Sequence, residues 1–321
     1  MTNKLITAVV CCFFIALTAC HPKNKQAQTS VAPATDTTLK DDRYHFFVLG
    51  DWGRRGKQHQ QEVADQMNVQ AKKLHAQFMI AVGDNFYDDG VQSVNDTHWT
   101  ESYVKVYKEL ATKTDWYVAL GNHDYRGKPD AQIAYHEINP RWNMPERYFS
   151  KVVTTTDGQE VLMVFIDTSP FVKDYYEKDN MPEIKLQDTA AQRIWIEKTL
   201  AASSAPWKLV IGHHPVYSSS PKHGNTVELV DMLKPMLEKY HVQAYIAGHD
   251  HDLQHNKPEG SYVDYVVSGA ASEVRDAATF EKTKFSASVP GFVDMSIKGN
   301  SLLVNFIDKA GTVIYHYTRN K

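Results

Sequence analysis

The 321-residue sequence is poor in cysteine, nearly balanced in charge and free of any apolar run long enough to cross a bilayer. Each shortage excludes something. Only Cys11, Cys12 and Cys20 occur, all near the N-terminus, so no disulfide framework holds the rest of the chain and its fold must rest on apolar packing. Lys and Arg number 35 against 38 Asp and Glu, a net charge of −3, which excludes the broad basic face of a nucleic-acid scaffold protein. The one sustained apolar stretch, 5–17, is shorter than the roughly 20 residues a membrane helix needs. With 42% hydrophobic and 23% charged residues, the composition is globular rather than disordered, collagen-like or coiled-coil. Histidine is what the chain has in excess. Seven of its 15 His fall between 213 and 255, a clustering that asks for a metal or a proton-transfer role.

Residues 1–19 have the plan of a secretory leader: Lys4 near the start, an apolar centre, then small residues. They close on Leu17-Thr18-Ala19-Cys20, which resembles the bacterial lipobox, where the Cys is acylated and becomes the new N-terminus. An ordinary signal peptide cut near Ala19 is the alternative. The resemblance implies lipidation at Cys20, a bacterial cell-envelope location and attachment to the membrane through acyl chains alone. His21 stands where many inner-membrane lipoproteins carry Asp, which favours the outer membrane, on its periplasmic or surface side. Residues 20–43 then read as the lipidated Cys and a flexible tether. The stretch 21–40 has no aromatic residue and too little apolar content to fold, and about 20 such residues span on the order of 25 Å.

From 44 to 321 the pattern is that of one α/β domain. Apolar runs at 44–49, 78–82, 116–120, 160–166, 208–211 and 243–247 read as buried strands. Between them 59–75, 97–110, 187–200 and 227–240 have helical spacing, with Pro235 expected to kink the last. Beyond Tyr262 the pattern turns to strands alone, at 262–267, 291–297, 301–307 and 312–317.

One regularity points to chemistry. Five of the apolar strands end in Gly followed at once by Asp, Asn or His: Gly50-Asp51, Gly83-Asp84, Gly121-Asn122, Gly212-His213 and Gly248-His249. Ligand sites of α/β proteins collect at the carboxyl ends of strands, and Gly lets the backbone turn sharply and come close to a bound group. The donors Asp51, Asp84, Asn122, His213, His249 and His251 mix oxygen with imidazole, which suits Fe, Mn or Zn and not Ca. Six donors exceed what one catalytic metal with an open position holds. They suit two ions about 3.5–4 Å apart bridged by a carboxylate.

These blocks resemble the metallophosphoesterase superfamily. Within it the chain is similar to the purple acid phosphatases, above all the small mammalian type known as tartrate-resistant acid phosphatase. The resemblance rests on Gly50-Asp51-Trp52-Gly53, on 83–87 (GDNFY), on Gly121-Asn122-His123-Asp124, on Gly212-His213 with Pro215-Val216, and on Gly248-His249-Asp250-His251. Trp142-Asn143-Met144-Pro145 and Ser268-Gly269-Ala270 add to it, and it covers about 44–320. It implies a four-layer α/β/β/α sandwich with the metal site at the carboxyl ends of strands. It implies that Asp51, Tyr87 and His251 hold one ion, that Asn122, His213 and His249 hold the other, and that Asp84 bridges them. The Tyr87 phenolate favours Fe(III), and its charge transfer gives the family its colour. The second metal would be Fe(II), Zn or Mn. Arg54 and Asp252 depart from the family pattern, where Gly and Asn are common, and neither removes a donor.

The chemistry that follows is hydrolysis of phosphomonoesters. Two cations neutralise the ester and lower the pKa of bound water, so a metal-bound hydroxide attacks phosphorus in line. The leaving oxygen then needs a proton. His123 and His223 are the candidates, His223 because it matches the second active-site His of the mammalian type. His214 is expected in the pocket wall, and the polar, Tyr-rich 170–183 lies where the mammalian enzymes carry a loop over the site. A phosphodiesterase or nucleotide-directed phosphohydrolase could use the same centre, and a binding module that keeps the fold is the reading outside enzymes. The expected partners are a phosphate ester and, through the lipid, a membrane; the chain is expected to be a monomer.

Overall fold

A computed structural model describes residues 42–321. The leader, Cys20 and most of the tether therefore lie outside the described residues. No helix among the described residues is long and apolar enough to cross a membrane.

Two seven-stranded mixed sheets form the domain. The first takes the N-terminal strands β1 (Tyr44–Leu49), β2 (Phe78–Val82), β3 (Asp115–Ala119) and β4 (Trp142–Asn143), all parallel. The second takes β5 (Phe149–Thr154), β6 (Glu160–Phe165), β7 (Trp207–Ile211) and β8 (Ala244–Ala247), then β9 (Leu253–Asn256), β10 (Asp264–Ser268) and β11 (Thr283–Ala287). The chain then returns to the first sheet as the antiparallel meander β12 (Gly291–Lys298), β13 (Ser301–Asp308) and β14 (Val313–Asn320), with β12 pairing against β1. The strand orders are β14-β13-β12-β1-β2-β3-β4 and β11-β9-β10-β8-β7-β6-β5.

Alternation along the strands sorts side chains into layers. Phe46 and Val48 of β1, Ile80 and Val82 of β2, Leu209 and Ile211 of β7 and Ile246 of β8 meet in one core between the sheets. Phe47, Leu49, Met79 and Ala81 point the other way, against Val63, Met67 and Ala71 of helix α1 (Gln60–Leu74). On the outside of the second sheet Val210, Tyr245 and Tyr265 pack against Ile196 and Leu200 and against Leu229, Leu233 and Leu237 of the later helices. The result is the expected α/β/β/α sandwich.

One sequence expectation needs correction, and several elements were not expected. The helix expected over 97–110 is broken. A π-turn at Trp99–Val104 runs into α2 (Lys105–Tyr107), the chain reverses at Lys108 with φ 51°, and α3 (Glu109–Lys113) follows. Gln60 draws the Ser102 carbonyl away with a 2.7 Å bond, and Ser102 Oγ accepts from the Arg55 amide, so the regular ladder has no claim on that residue. The short α4 (Pro129–Ala134) and strands β4, β5, β9 and β11 also lacked a sequence signal. β5 is an edge strand with mostly exposed side chains, and β9 is a buried strand that is polar after Leu253 (LQHN). The helix of 187–200 is α5 (Thr189–Ala202), begun by Asp188 accepting from the Ala191 amide. The expected kink at Pro235 divides α6 (Val227–Met232) from α7 (Lys234–Lys239).

Candidate metal centre

Asp51, Asp84 and Asn122 follow β1, β2 and β3 of one sheet. His213 and His249 follow β7 and β8 of the other, so the carboxyl ends of parallel strands in both sheets face one another. The loop after β10 stitches the two edges together: Ser268 Oγ donates to Val48 O, the Ala271 amide to Gly50 O and Ser272 Oγ to Asp51 O.

The backbone at the strand ends differs from the expectation that glycine makes every turn. Asp51, Asp84 and His249 themselves take the left-handed conformation, at φ 60°, 49° and 69°. Asp and His are among the few residues that tolerate it. Of the five glycines before the donors only Gly83 is also left-handed, at φ 94°; the others matter for close approach. A Cβ on Gly121 would stand 2.2 Å from Asp84 Oδ1, and one on Gly248 2.5 Å from Asp51 Oδ2. Asn85 and Asp124 fasten the ends of β2 and β3. Asp124 accepts from the amides of Gly121 and Asn85 and from the Gln132 side chain, and Asn85 Nδ2 donates to Ala119 O. Burial and the nearby Asp84 charge push Asp124 up to about 7 despite these bonds.

All seven sequence-assigned donors lie together. Tyr87 Oη lies 2.8 Å from Asp51 Oδ1, 2.9 Å from Asp84 Oδ2 and 3.0 Å from His251 Nε2. On the other side His213 Nε2 lies 3.2 Å from Asn122 Oδ1, 3.3 Å from His249 Nδ1 and 3.4 Å from Asp84 Oδ1. Asp84 thus turns one oxygen to each group. His213 commits Nδ1 to Val82 O at 2.9 Å, which turns Nε2 toward the centre.

These donors fit cations. One phenol proton cannot serve the two carboxylates and the imidazole nitrogen around it. Burial, with the charge of Asp84, holds Asp51 well above the usual carboxylate range. Asp84 is also fully buried, yet His213 and His123 hold it well below that range, and Asp84 in turn overcomes burial to raise His213 to about 9. Each of these shifts comes from close-packed groups that a cation would satisfy.

Around the centre lies a cavity of about 840 Å³, lined among others by His123, Tyr175, His214 and His223. His123 Nδ1 bonds Asp88 O at 2.6 Å, its Nε2 lies 3.9 Å from Asp84 Oδ2, and burial lowers its pKa. His223 stacks on His249 with centroids 4.4 Å apart, and its Nδ1 bonds Asp250 Oδ1 at 2.9 Å. His214 spends both ring nitrogens, on Thr168 Oγ1 and Tyr175 Oη, each at 2.8 Å, so it forms wall rather than donor. Arg54 lies 3.8 Å over the Tyr87 ring and pairs with Glu273 at 2.8 Å. The segment 170–183 contributes Val172, Asp174, Tyr175 and Lys178 to the cavity, while Met181 beside them is fully buried. Sequence reasoning missed Asp250 as the partner of His223, Tyr175 as the partner of His214, and Arg126 in the cavity wall. Asp250 stood inside a noted block and Tyr175 inside the Tyr-rich 170–183 segment; Arg126 had no local signal. His255, by contrast, lies apart from the centre, between Tyr315 Oη and Asp264 Oδ1 at 3.0 Å each.

Residues 44–253 match the model of the calcineurin-like phosphoesterases, and the chain belongs to that family of metal-dependent phosphoric ester hydrolases. It is 33% identical to purple acid phosphatase 17 of Arabidopsis thaliana over 93% of this chain and 89% of that protein. It is 32% identical to human tartrate-resistant acid phosphatase type 5 over 84% and 89%. Within the family it is therefore one of the purple acid phosphatases, whose members imply a binuclear, iron-containing centre. Among solved structures it is similar to "GAP50 the anchor in the inner membrane complex of Plasmodium", at 25% identity and a TM-score of 0.75 over 87% of this chain and 89% of that one.

Proposed function

We propose that the chain is a lipid-anchored acid phosphatase of the bacterial cell envelope that hydrolyses phosphomonoesters. The observation that carries the catalytic part is the position of Asp84, one oxygen toward Tyr87, Asp51 and His251 and the other toward His213, Asn122 and His249. In this reading Asp51, Tyr87 and His251 would hold Fe(III), Asn122, His213 and His249 would hold Fe(II), Zn or Mn, and Asp84 would be shared between the two. Two such ions supply charge neutralisation of the ester and a water acidic enough to act as nucleophile.

The protein's own side chains do the rest. Gly121 and Gly248 let the carboxylates sit against the backbone, so the donors are held before any ion arrives. His123 and His223 stand in the cavity wall, where each can hold a proton for the departing oxygen. Asp250 accepts from His223 Nδ1 and so fixes the orientation of the ring in the wall. Anchoring through Cys20, with the leader 1–19 removed and 20–43 as tether, rests on the sequence of the N-terminal segment, and 44–321 would be the catalytic domain, expected as a monomer.

The experiment loads the full chain with iron plus zinc or manganese. It compares kcat/KM for a phosphomonoester and a matched diester between mildly acidic and neutral pH, with Asp84→Asn as blank. Monoester preference is expected; diester preference replaces the substrate class. The likeness to a membrane-complex anchor favours the binding-module reading as second choice, and metal binding without turnover of either ester would select it. Fatty-acid labelling that Cys20→Ala abolishes is expected for the anchor, and labelling that survives the substitution overturns it.

A further inference from the structure

One wall of the cavity carries positive charge that the protein leaves unanswered. Arg126 is half-buried beside His123. Its Nε is buried with no hydrogen-bond partner among the described residues, and its Nη1 reaches only the Asp88 carbonyl, at 3.4 Å. No ion pair to Arg126 occurs among the described residues, although most of the other Arg side chains near the site have a carboxylate: Arg54 has Glu273, Arg147 has Glu183 and Arg275 has Glu273. A guanidinium partly removed from water without an anion is costly, and a bound anion would offset that cost.

A second cation stands on the same wall. Lys178 Nζ lies 5.2 Å from the centroid of the Tyr175 ring. Tyr175 is buried, and His214 Nε2 holds its hydroxyl at 2.8 Å, so the ring is a fixed floor. Burial pushes the Tyr175 phenol up, and Arg126 is close enough to oppose that shift. Both cations line the cavity that contains Asp84 and Asn122, so a ligand held at the metal donors shares one space with them. Asp174 and Glu228 line it as well, and neither pairs with Arg126 or Lys178 among the described residues.

We propose that Arg126 and Lys178, flanking Tyr175, form a second anion subsite, so that the favoured substrate is a phosphate ester whose leaving group carries another negative group. This rests on the phosphatase reading above and names the substrate class for it. The planar fork of Arg126 suits either a phosphate or a carboxylate, while Lys178 adds a point charge without fixed geometry.

The test uses the full chain loaded with iron and zinc and two substrate pairs. Propane-1,3-diol monophosphate against its bisphosphate reads a second phosphate. Glycerol 2-phosphate against 2-phosphoglycerate reads a carboxylate. The charged member of at least one pair should have a kcat/KM at least 10-fold higher, chiefly through KM, with the advantage shrinking as salt rises. Arg126→Ala and, separately, Lys178→Ala should each lower that ratio at least 3-fold, and Arg126→Lys should recover part of it. Because Lys178 is exposed, its variant reads the subsite even if Arg126→Ala folds poorly. A ratio near one in both pairs, or variants that slow both members alike, would overturn the subsite. Absence of turnover on all four esters with metals bound would instead sink the phosphatase reading on which it stands.

Discussion

Tyr87 and Asp51 meet at 2.8 Å, hydroxyl to carboxylate, although 36 residues separate them in the chain. The contact joins the loops after β1 and β2, and Asp84 and His251 complete the ring of acceptors around the phenol oxygen. If Tyr87 is the iron phenolate, the iron-loaded protein absorbs in the visible, and Tyr87→Phe removes the band while leaving the fold intact. A Phe variant with an unchanged spectrum would take Tyr87 off the metal. Arg54 over the same ring withdraws charge from it, so Arg54→Gln is expected to move the band to lower energy.

Gly121→Ala tests close approach. The added Cβ would meet Asp84 Oδ1 at 2.2 Å and the Asp84 amide at the same distance, and neither is the free end of a flexible chain. Bound metal measured by elemental analysis should fall by half or more. The same change at Gly224, where nothing lies within 4 Å, should leave metal content unaltered. Equal metal content in both variants would mean that the Asp84 loop yields more easily than packing suggests.

His223 and Asp250 should act as a unit. His223→Ala is expected to slow esters of poor leaving groups about 100-fold and esters of good ones far less, since only the former need a proton. Asp250→Asn should reproduce that leaving-group dependence more weakly by loosening the ring, although Ser218 and Gln254 also bond this carboxylate. Equal loss on both ester types would argue against proton donation by His223.

Asp167 makes stability depend on pH. Burial pushes its carboxyl up to about 6 in the folded chain, against about 3.9 in an unfolded one. Its Oδ1 has no hydrogen-bond partner among the described residues, while Tyr125 donates to Oδ2. A raised carboxyl contributes stability that is complete below about pH 4 and lost as pH rises through about 6. Asp167→Asn removes this loss. Measured by chemical denaturation, its stability relative to the parent should improve by about 2 kcal/mol between pH 4 and pH 7. A difference that stays flat over that range would show that Asp167 is ionised throughout.

Much of the molecule was written locally. The short apolar runs YHFFVL, FMIAV and WKLVI are enough to mark strands buried on both faces, and parity along each strand then assigns every residue to a layer. The five Gly-X strand ends marked the donors because strand end, tight approach and ligand type are all properties of neighbouring residues. What the sequence could not show depended on partners far along the chain. The 97–110 helix fails because Gln60, some 40 residues earlier, takes the Ser102 carbonyl. β9 is a strand of polar residues because Ser219 and Asp252 satisfy Gln254, and Tyr315 and Asp264 satisfy His255. Left-handed backbone at Asp51, Asp84 and His249 arises where loops from two sheets crowd together, one residue beyond the glycine that the sequence marked, although Gly83 is left-handed as well. Arg126 reads as an ordinary loop cation until folding sets it beside Tyr175 in a shared cavity. Short-range pattern determined which residues could bind metal; long-range packing decided which oxygen of Asp84 faces which group, and which charge was left for a ligand to answer.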